Sequence, residues 1–167
     1  KEKSYLHIDV GGGSTELTSI VNGQTKNSKS FSIGSVRLLE GKVSKKSWND
    51  MKEWIKSNTN SVTGIKAIGS GGNINKIASM LGKKKGEYVP YNSIKILLKK
   101  IEAKDFHQRI TTFGLRPDRA DVIIPASKIY LNCMKWSKSQ KILVPQSGLA
   151  DGIIEQLYDT YKSVSKS

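Results

Sequence analysis

The sequence predicts an α/β fold in which helices pack on a sheet of mixed strand direction. Two observations support this prediction. The chain up to Ile33 contains three strand-like segments joined by tight turns, which is the pattern of an antiparallel meander. The remainder alternates between helical and strand-like segments, which is typical of strands connected by helices.

The meander is predicted from three consecutive segments. Residues 5–10 are mostly apolar, as in a buried strand, and residues 16–21 form the returning strand. Asn22-Gly23 is a strong signal for a hairpin turn. Residues 24–33 alternate with polar side chains, so we expect this third strand at an edge of the sheet.

Helices and two further strands follow the meander. Residues 36–39 begin a short helix or loop, and residues 44–57 form an amphipathic helix with four apolar residues on one face: Trp48, Met51, Trp54 and Ile55. The later predicted elements are, in chain order, a strand (64–68), a helix (73–81), a basic loop (83–86), two helices (93–100 and 103–113), a long helix (117–136) that Pro125 kinks or divides, a strand (141–144) and a final helix (149–161). This order matches the ribonuclease-H-like half-fold of actin-like phosphotransferases. We therefore expect one lobe over residues 1–161 and a polar tail at 162–167.

Composition and charge limit the classes of function. No apolar run approaches the roughly 20 residues of a membrane helix, and no signal-peptide pattern is present, so we expect a cytoplasmic protein without a membrane partner. The single cysteine, Cys133, excludes an internal disulfide and fits a reducing compartment. The net charge of +14 attracts polyanions such as nucleic acid or a linear phosphate polymer, although a generally lysine-rich surface would give the same charge.

The most informative motif is a glycine loop between two carboxylates: Asp9-Val10-Gly11-Gly12-Gly13-Ser14-Thr15-Glu16. The glycines leave backbone N–H groups uncovered, and a concave row of such groups binds phosphate. The hydroxyl groups of Ser14 and Thr15 are further candidate donors. The carboxylates of Asp9 and Glu16 could hold a divalent cation or orient a water. A phosphate-handling site is the favoured interpretation, and a plain tight hairpin is the alternative.

Three further features are candidates for the same site. Gly69-Ser70-Gly71-Gly72 lies between a strand and a helix, and this second corner is either a phosphate or nucleotide contact or a packing turn. Arg37 could contact phosphate through its guanidinium group or form a surface ion pair. The charged residues at the start of the long helix are interpreted as helix-terminus residues: Asp118, Arg119 and Asp121.

The chain resembles the exopolyphosphatase / guanosine pentaphosphate phosphohydrolase family, a branch of the actin–sugar kinase–heat-shock ATPase superfamily. The segments that carry the resemblance occur in the family's order and cover nearly the whole chain. Besides the Asp9–Glu16 motif they are Ile33-Gly34-Ser35-Val36-Arg37-Leu38, Ile68-Gly69-Ser70-Gly71-Gly72, Leu115-Arg116-Pro117-Asp118-Arg119-Ala120-Asp121 and Ser147-Gly148-Leu149-Ala150-Asp151-Gly152-Ile153.

The resemblance implies a role for each candidate residue. Members of the family have two lobes with the active site between them, and the first lobe supplies its own phosphate loop and a glutamate base. Because this chain begins only eight residues before Asp9, it resembles the second lobe alone. The resemblance implies that Asp9 and Glu16 bind Mg²⁺ and orient the attacking water, and that the glycine corners contact the substrate phosphates.

The implied activity is removal of the terminal phosphate from inorganic polyphosphate or of the 5′-phosphate from guanosine pentaphosphate. The sequence does not separate these substrates. The implied partners are the first lobe and, in the intact enzyme, a second copy. A sugar or acetate kinase lobe is an alternative, which Glu16 disfavours because kinases usually carry another residue there. A non-catalytic polyanion-binding module is a further alternative, which the two retained carboxylates disfavour; nucleic acid is therefore not the expected partner.

Overall fold

A computed structural model describes residues 4–59 and 64–145 of the chain. The strands in these ranges are β1 (Ser4–Val10), β2 (Thr15–Val21), β3 (Gln24–Phe31), β4 (Lys66–Ser70), β5 (Glu87–Pro90) and β6 (Lys141–Val144). They form one sheet in the order β3-β2-β1-β4-β6-β5. Strands β1, β4 and β6 are parallel to one another, whereas β2, β3 and β5 each run antiparallel to their neighbours. The predicted α/β fold with a mixed sheet and an antiparallel meander is therefore confirmed.

The main hydrophobic core lies between the sheet and a layer of helices. The helices in the described residues are α1 (Ser35–Leu39), α2 (Lys45–Thr59), α3 (Gly72–Met80), α4 (Tyr91–Glu102), α5 (Phe106–Phe113), α6 (Pro117–Ala120) and α7 (Ile123–Trp136). Leu6, Ile8 and Leu17 point from the sheet into this core and are fully buried. Helix α7 is central, because it packs against β1 and against α1, α2, α3 and α4. The opposite face of the sheet carries a second, smaller cluster of Tyr5, Ile20 and Ile68.

The meander forms as predicted. Asn22 and Gly23 both have positive φ angles, 52° and 77°, which suits the tight turn that joins β2 to β3. Strand β3 lies at the edge of the sheet, and all of its residues except Phe31 are exposed. Since a polar segment can remain in water on an edge strand, the polarity of this segment is explained by its position.

Several predicted boundaries differ from the structure. Gly69 and Ser70 belong to β4 and Gly72 already belongs to α3, so the second corner consists of Gly71 alone, with φ at 102°. The break in the long helix comes between α6 and α7, and Pro125 lies in the first turn of α7, where its missing N–H group costs no helical hydrogen bond.

Strand β5 was not predicted, since four residues that include Pro90 carry little pattern. The predicted final helix (149–161), the Ser147–Ile153 segment and the polar tail lie outside the described residues. Among the described helices, none has the length and apolar character that crossing a membrane requires.

Candidate phosphate-binding site

Four polar residues form a row across four neighbouring strands, and we call them the rim row: Ser30, Glu16, Asp9 and Ser70. Strand pairing places Asp9 opposite Glu16 and also beside Ser70, and it places Glu16 opposite Ser30. Paired residues project their side chains to the same face, with Cβ atoms about 5 Å apart in an antiparallel pair. The row lies at the carboxyl ends of β1 and β4, which is where α/β sheets bind ligands. The two predicted carboxylates are thus neighbours.

The carboxylate of Glu16 is held by two hydroxyl groups. Its Oε1 atom accepts a hydrogen bond from Ser14 Oγ at 2.6 Å and another from Ser30 Oγ at 2.9 Å. Because both donors use the same oxygen, the orientation of the carboxylate is fixed while Oε2 keeps its lone pairs. Ser30 was not recognised in the sequence. The sequence predicted that the Ser14 hydroxyl donates a hydrogen bond to phosphate, but in the structure it donates to Glu16 instead.

Helix α1 holds the first glycine loop (residues 11–14) through hydrogen bonds to the loop carbonyls. The backbone N–H groups of Ser35 and Val36 donate to the carbonyls of Gly11 and Gly12, both at 2.9 Å, and Arg37 Nε donates to the Gly13 carbonyl at 3.0 Å. In a planar trans peptide the C=O and the following N–H point in opposite directions. The N–H groups of Gly12, Gly13 and Ser14 therefore point away from α1. Successive N–H groups directed to one side form a cradle for an anion.

Close contact between α1 and the loop requires a glycine at position 34. A Cβ atom on Gly34 would lie only 2.3 Å from the Gly12 carbonyl oxygen. By contrast, a Cβ atom on Gly13 would meet nothing within 4 Å. The Gly34 position thus sets how near α1 comes to the loop, and the Gly13 position faces open space. An open depression of about 410 Å³ adjoins the loop, lined by Gly12, Gly13, Val36, Arg37, Glu40 and Lys42.

The second corner packs directly against the rim row. A Cβ atom on Gly71 would lie 3.0 Å from Asp9 Oδ1, so the corner and this carboxylate are in contact. The guanidinium group of Arg119 covers Gly72, the first residue of α3, and its Nη1 atom donates to Asn73 Oδ1 at 3.1 Å. The positive charge of Arg119 therefore lies beside the N-terminus of α3, where an anion is already favoured.

Arg119, which the sequence analysis interpreted as a helix-terminus residue, becomes a candidate site residue in the structure. Its neighbour Asp118 lies in the first turn of α6, as predicted, whereas Asp121 follows the last residue of α6 instead of lying at a helix start. The side chain of Arg119 instead crosses to a helix that begins 47 positions earlier in the chain. Sequence spacing carries no signal for such a contact.

Two predicted phosphate contacts have structural explanations instead. Thr15 is fully buried, and its hydroxyl donates to the Ile33 carbonyl at 2.6 Å. Gly69 faces the helix layer, where a Cβ atom would lie 2.8 Å from Ile142 and 2.9 Å from Ile74. The structure directs neither residue toward the rim row. Ser70 does belong to the row, and its hydroxyl is hydrogen-bonded to His7 Nε2 at 2.9 Å.

The rim row could bind a metal ion only with help from substrate and water. Within residues 4–59 and 64–145, no three His, Cys, Asp or Glu side chains are close enough to hold a metal ion together. Asp9 and Glu16 provide two carboxylates side by side. Mg²⁺ commonly binds one or two carboxylates and completes its octahedral coordination with water and phosphate oxygens. The residues present therefore fit Mg²⁺.

Comparison with known proteins shows the family to which this chain belongs. The model of the Ppx/GppA phosphatase family matches residues 1–161. A bifunctional 3-dehydroquinate synthase/phosphatase from Fusobacterium nucleatum is 29% identical over 175 residues, which cover 90% of this chain and 26% of that protein.

Solved structures show the same fold. The Aquifex aeolicus Ppx/GppA phosphatase superposes with a TM-score of 0.71 at 22% identity, over 93% of this chain and 57% of that one. An exopolyphosphatase from Cytophaga hutchinsonii gives a TM-score of 0.71 at 20% identity, over 96% of this chain and 58% of that one. This chain thus spans less than two thirds of each relative, and its fold is the ribonuclease-H-like, actin-like fold of these structures. The chain belongs to the Ppx/GppA phosphatase family.

Proposed function

We propose that this chain is the second lobe of a Mg²⁺-dependent phosphohydrolase that acts on phosphoanhydrides. The substrate is inorganic polyphosphate, from which the terminal phosphate is removed, or guanosine pentaphosphate, which loses its 5′-phosphate. The observation that carries the proposal is the pair of carboxylates, Asp9 and Glu16, at one end of an outward-facing row of glycine N–H groups. Phosphoryl transfer needs both parts, because the transferred group is highly charged and must be held in line with its attacking water.

The two carboxylates hold the metal and the water. Bound Mg²⁺ would neutralise charge on the phosphoryl oxygens. Glu16, fixed through Oε1 by the hydroxyl groups of Ser14 and Ser30, keeps the lone pairs of Oε2 for a ligand. Asp9 lies next to it, against the Gly71 corner. These residues orient a water molecule and a phosphate oxygen relative to each other, which is most of what this reaction requires from a protein.

The glycine corners and two arginines bind the phosphates. The N–H groups of Gly12, Gly13 and Ser14 face one phosphate, and the N-terminus of α3 with Arg119 faces the next. Arg37 is fixed through its Nε atom to the Gly13 carbonyl, so that its remaining N–H groups are available to a phosphate beside the loop. Arginine suits this task since its planar fork donates two parallel hydrogen bonds to one phosphate.

The general base is expected on another lobe. The relatives with solved structures are longer than this chain, which spans 57% and 58% of them. We therefore expect this lobe alone to bind phosphate and Mg²⁺ weakly and to release little or no phosphate. The single buried cysteine, Cys133, suits a reducing compartment, so we also propose that the protein acts in the cytoplasm.

The proposal is tested by phosphate release from the full-length protein that contains this lobe. Long-chain polyphosphate and guanosine pentaphosphate are offered separately, each with and without Mg²⁺. We expect Mg²⁺-dependent release that Glu16→Ala reduces about 100-fold or more, as when one preorganised transition-state contact is removed. The matched control is Glu53→Ala, which removes an exposed carboxylate on α2.

Two outcomes would contradict the proposal. Phosphate release that is unaffected by Glu16→Ala would show that the reaction does not depend on this site. No release from either substrate, by a protein that remains folded, would favour a sugar or acetate kinase lobe or a polyanion-binding module. Competition between polyphosphate and nucleic acid for binding then separates a polyphosphate-binding protein from a nucleic-acid-binding module, whereas salt dependence alone does not, since all polyanions show it.

A further inference from the structure

The hydroxyl of Tyr130 joins the ends of the two strands that lead into the site. Val10 is the last residue of β1 and precedes the first glycine loop, and Ser70 is the last residue of β4 and precedes the Gly71 corner. Tyr130 Oη donates to the Ser70 carbonyl at 2.6 Å and accepts from the Val10 N–H group at 3.4 Å. The side chain is fully buried on α7.

The Tyr130 hydroxyl links β1 and β4 just beyond the last backbone pair of the two strands. The paired register ends at Asp9 and Ser70, and beyond it the chains separate into the two corners. The hydroxyl uses its donor on one strand and its acceptor on the other, so that both backbone groups are satisfied by a single atom. One side-chain oxygen thus bridges the two strand ends at which the corners begin.

Helix α7, which carries Tyr130, packs against both helices that adjoin the two corners. Helix α7 packs against α1, which holds the first glycine loop, and against α3, which begins at the second corner. Burial raises the pKa of the Tyr130 phenol well above its usual value, so the hydroxyl keeps its proton and remains a donor to Ser70. A Cβ atom on Gly71 would lie 3.8 Å from Tyr130 Oη, so the second corner is also close to this hydroxyl.

We propose that Tyr130 is a positioning residue that fixes the separation of the two phosphate-binding corners. This inference rests on the proposed function. A purely structural tyrosine would contribute to folding only. A positioning tyrosine contributes to turnover as well, because the terminal phosphate and the phosphate behind it are held by different corners and must keep their relative placement in the transition state.

The test compares Tyr130→Phe with Ser127→Ala in the full-length protein. Both variants lose one buried hydroxyl from α7, but Ser127 Oγ donates within its own helix to the Ile123 carbonyl at 2.7 Å and touches neither corner. We expect Tyr130→Phe to lower kcat about tenfold per folded molecule with KM changed less than about twofold, and Ser127→Ala to leave both constants unchanged. Equal kcat in Tyr130→Phe and wild type would overturn the inference.

A second measurement separates this inference from the proposed function. Backbone amide spectra of the 167-residue chain are recorded for wild type and both variants. Tyr130→Phe should shift the amides of both corners together, at Gly11 to Gly13 and at Gly71 to Asn73, while Ser127→Ala should shift neither. If wild type hydrolyses no phosphoanhydride, the proposed function fails, and the amide spectra still decide on Tyr130. Unchanged corner amides in Tyr130→Phe would refute the positioning role regardless of activity.

Discussion

Replacing Gly34 by alanine should move the first glycine loop without straining the backbone of residue 34. Gly34 has φ −134° and ψ 166°, an extended conformation that alanine adopts freely. The added Cβ atom would nevertheless lie 2.3 Å from the Gly12 carbonyl oxygen and 2.5 Å from the Gly13 carbonyl carbon. Normal van der Waals contact begins near 3.4 Å, so the loop or α1 must retreat by about 1 Å.

The expected cost follows from what that displacement breaks. Five hydrogen bonds join α1 to the loop carbonyls: three come from backbone N–H groups, one from Arg37 Nε and one from the Ser35 hydroxyl. Each contributes about 1 kcal/mol net, and overpacking at a close contact costs about 1–3 kcal/mol. Alanine recovers about 0.4–1 kcal/mol by restricting the unfolded chain. A retreat of about 1 Å breaks about two of these hydrogen bonds, so we expect Gly34→Ala to lower the free energy of unfolding by about 2–4 kcal/mol. Since about 1 Å of misplacement is large for catalysis, phosphate release should fall about 100-fold.

Urea denaturation followed by tryptophan fluorescence measures the stability change, and phosphate release from the full-length protein measures the activity change. Gly13→Ala is the matched control, because a Cβ atom there meets nothing within 4 Å and the same loop receives the same added methyl group. Its free energy of unfolding should stay within about 0.5 kcal/mol of wild type. Equal stability and equal phosphate release in Gly34→Ala and wild type would show that α1 does not hold the loop.

Three other predictions follow from the site and the core. Ser30→Ala should reduce phosphate release several-fold, since the Glu16 carboxylate loses one of its two hydroxyl donors; a rate equal to wild type would remove Ser30 from the site. Gly72→Ala should displace the guanidinium group of Arg119, which would lie 2.7 Å from the new Cβ atom. Tripolyphosphate binding, measured by calorimetry, should weaken while the melting temperature changes little. Undiminished affinity would count against Arg119 as a ligand. Burial raises the pKa of the Cys133 thiol to about 12, so the native protein should resist a thiol reagent at pH 8, and rapid labelling of native protein would contradict this. Because the thiol is more readily ionised in the unfolded chain, its contribution to the free energy of unfolding should be complete below about pH 9 and should be lost as the pH rises toward 12.

The local part of the site could be predicted from the sequence, because a hairpin brings its own ends together. Four residues, 11–14, separate β1 from β2, and the resulting register places Asp9 opposite Glu16. The period of two along a strand would also have excluded Thr15, which must face the side opposite to Glu16. The same alternation separates Gly69, on the core side, from Ser70 in the rim row.

The remaining site residues depend on contacts between distant segments. Ser30 reaches Glu16 through the pairing of β2 with β3, which a bulge between Ser19 and Ile20 shifts by one residue. Arg119 and Tyr130 arrive from helices on the far side of the core. Their placement depends on packing angles that neither composition nor periodicity contains, so only the structure could identify them.

The exposed edge of the sheet has a consequence for how this protein behaves at high concentration. Among the described residues, the eight-residue strand β3 is paired only with β2, so its outer edge is a template on which another chain could add a strand. Its side chains oppose this, since they are polar and include Lys26 and Lys29. The same strand carries Ser30, which holds Glu16. An aggregate that grew from this edge would thus begin at the outer wall of the candidate site, and ligands that order the site should also delay fibril formation.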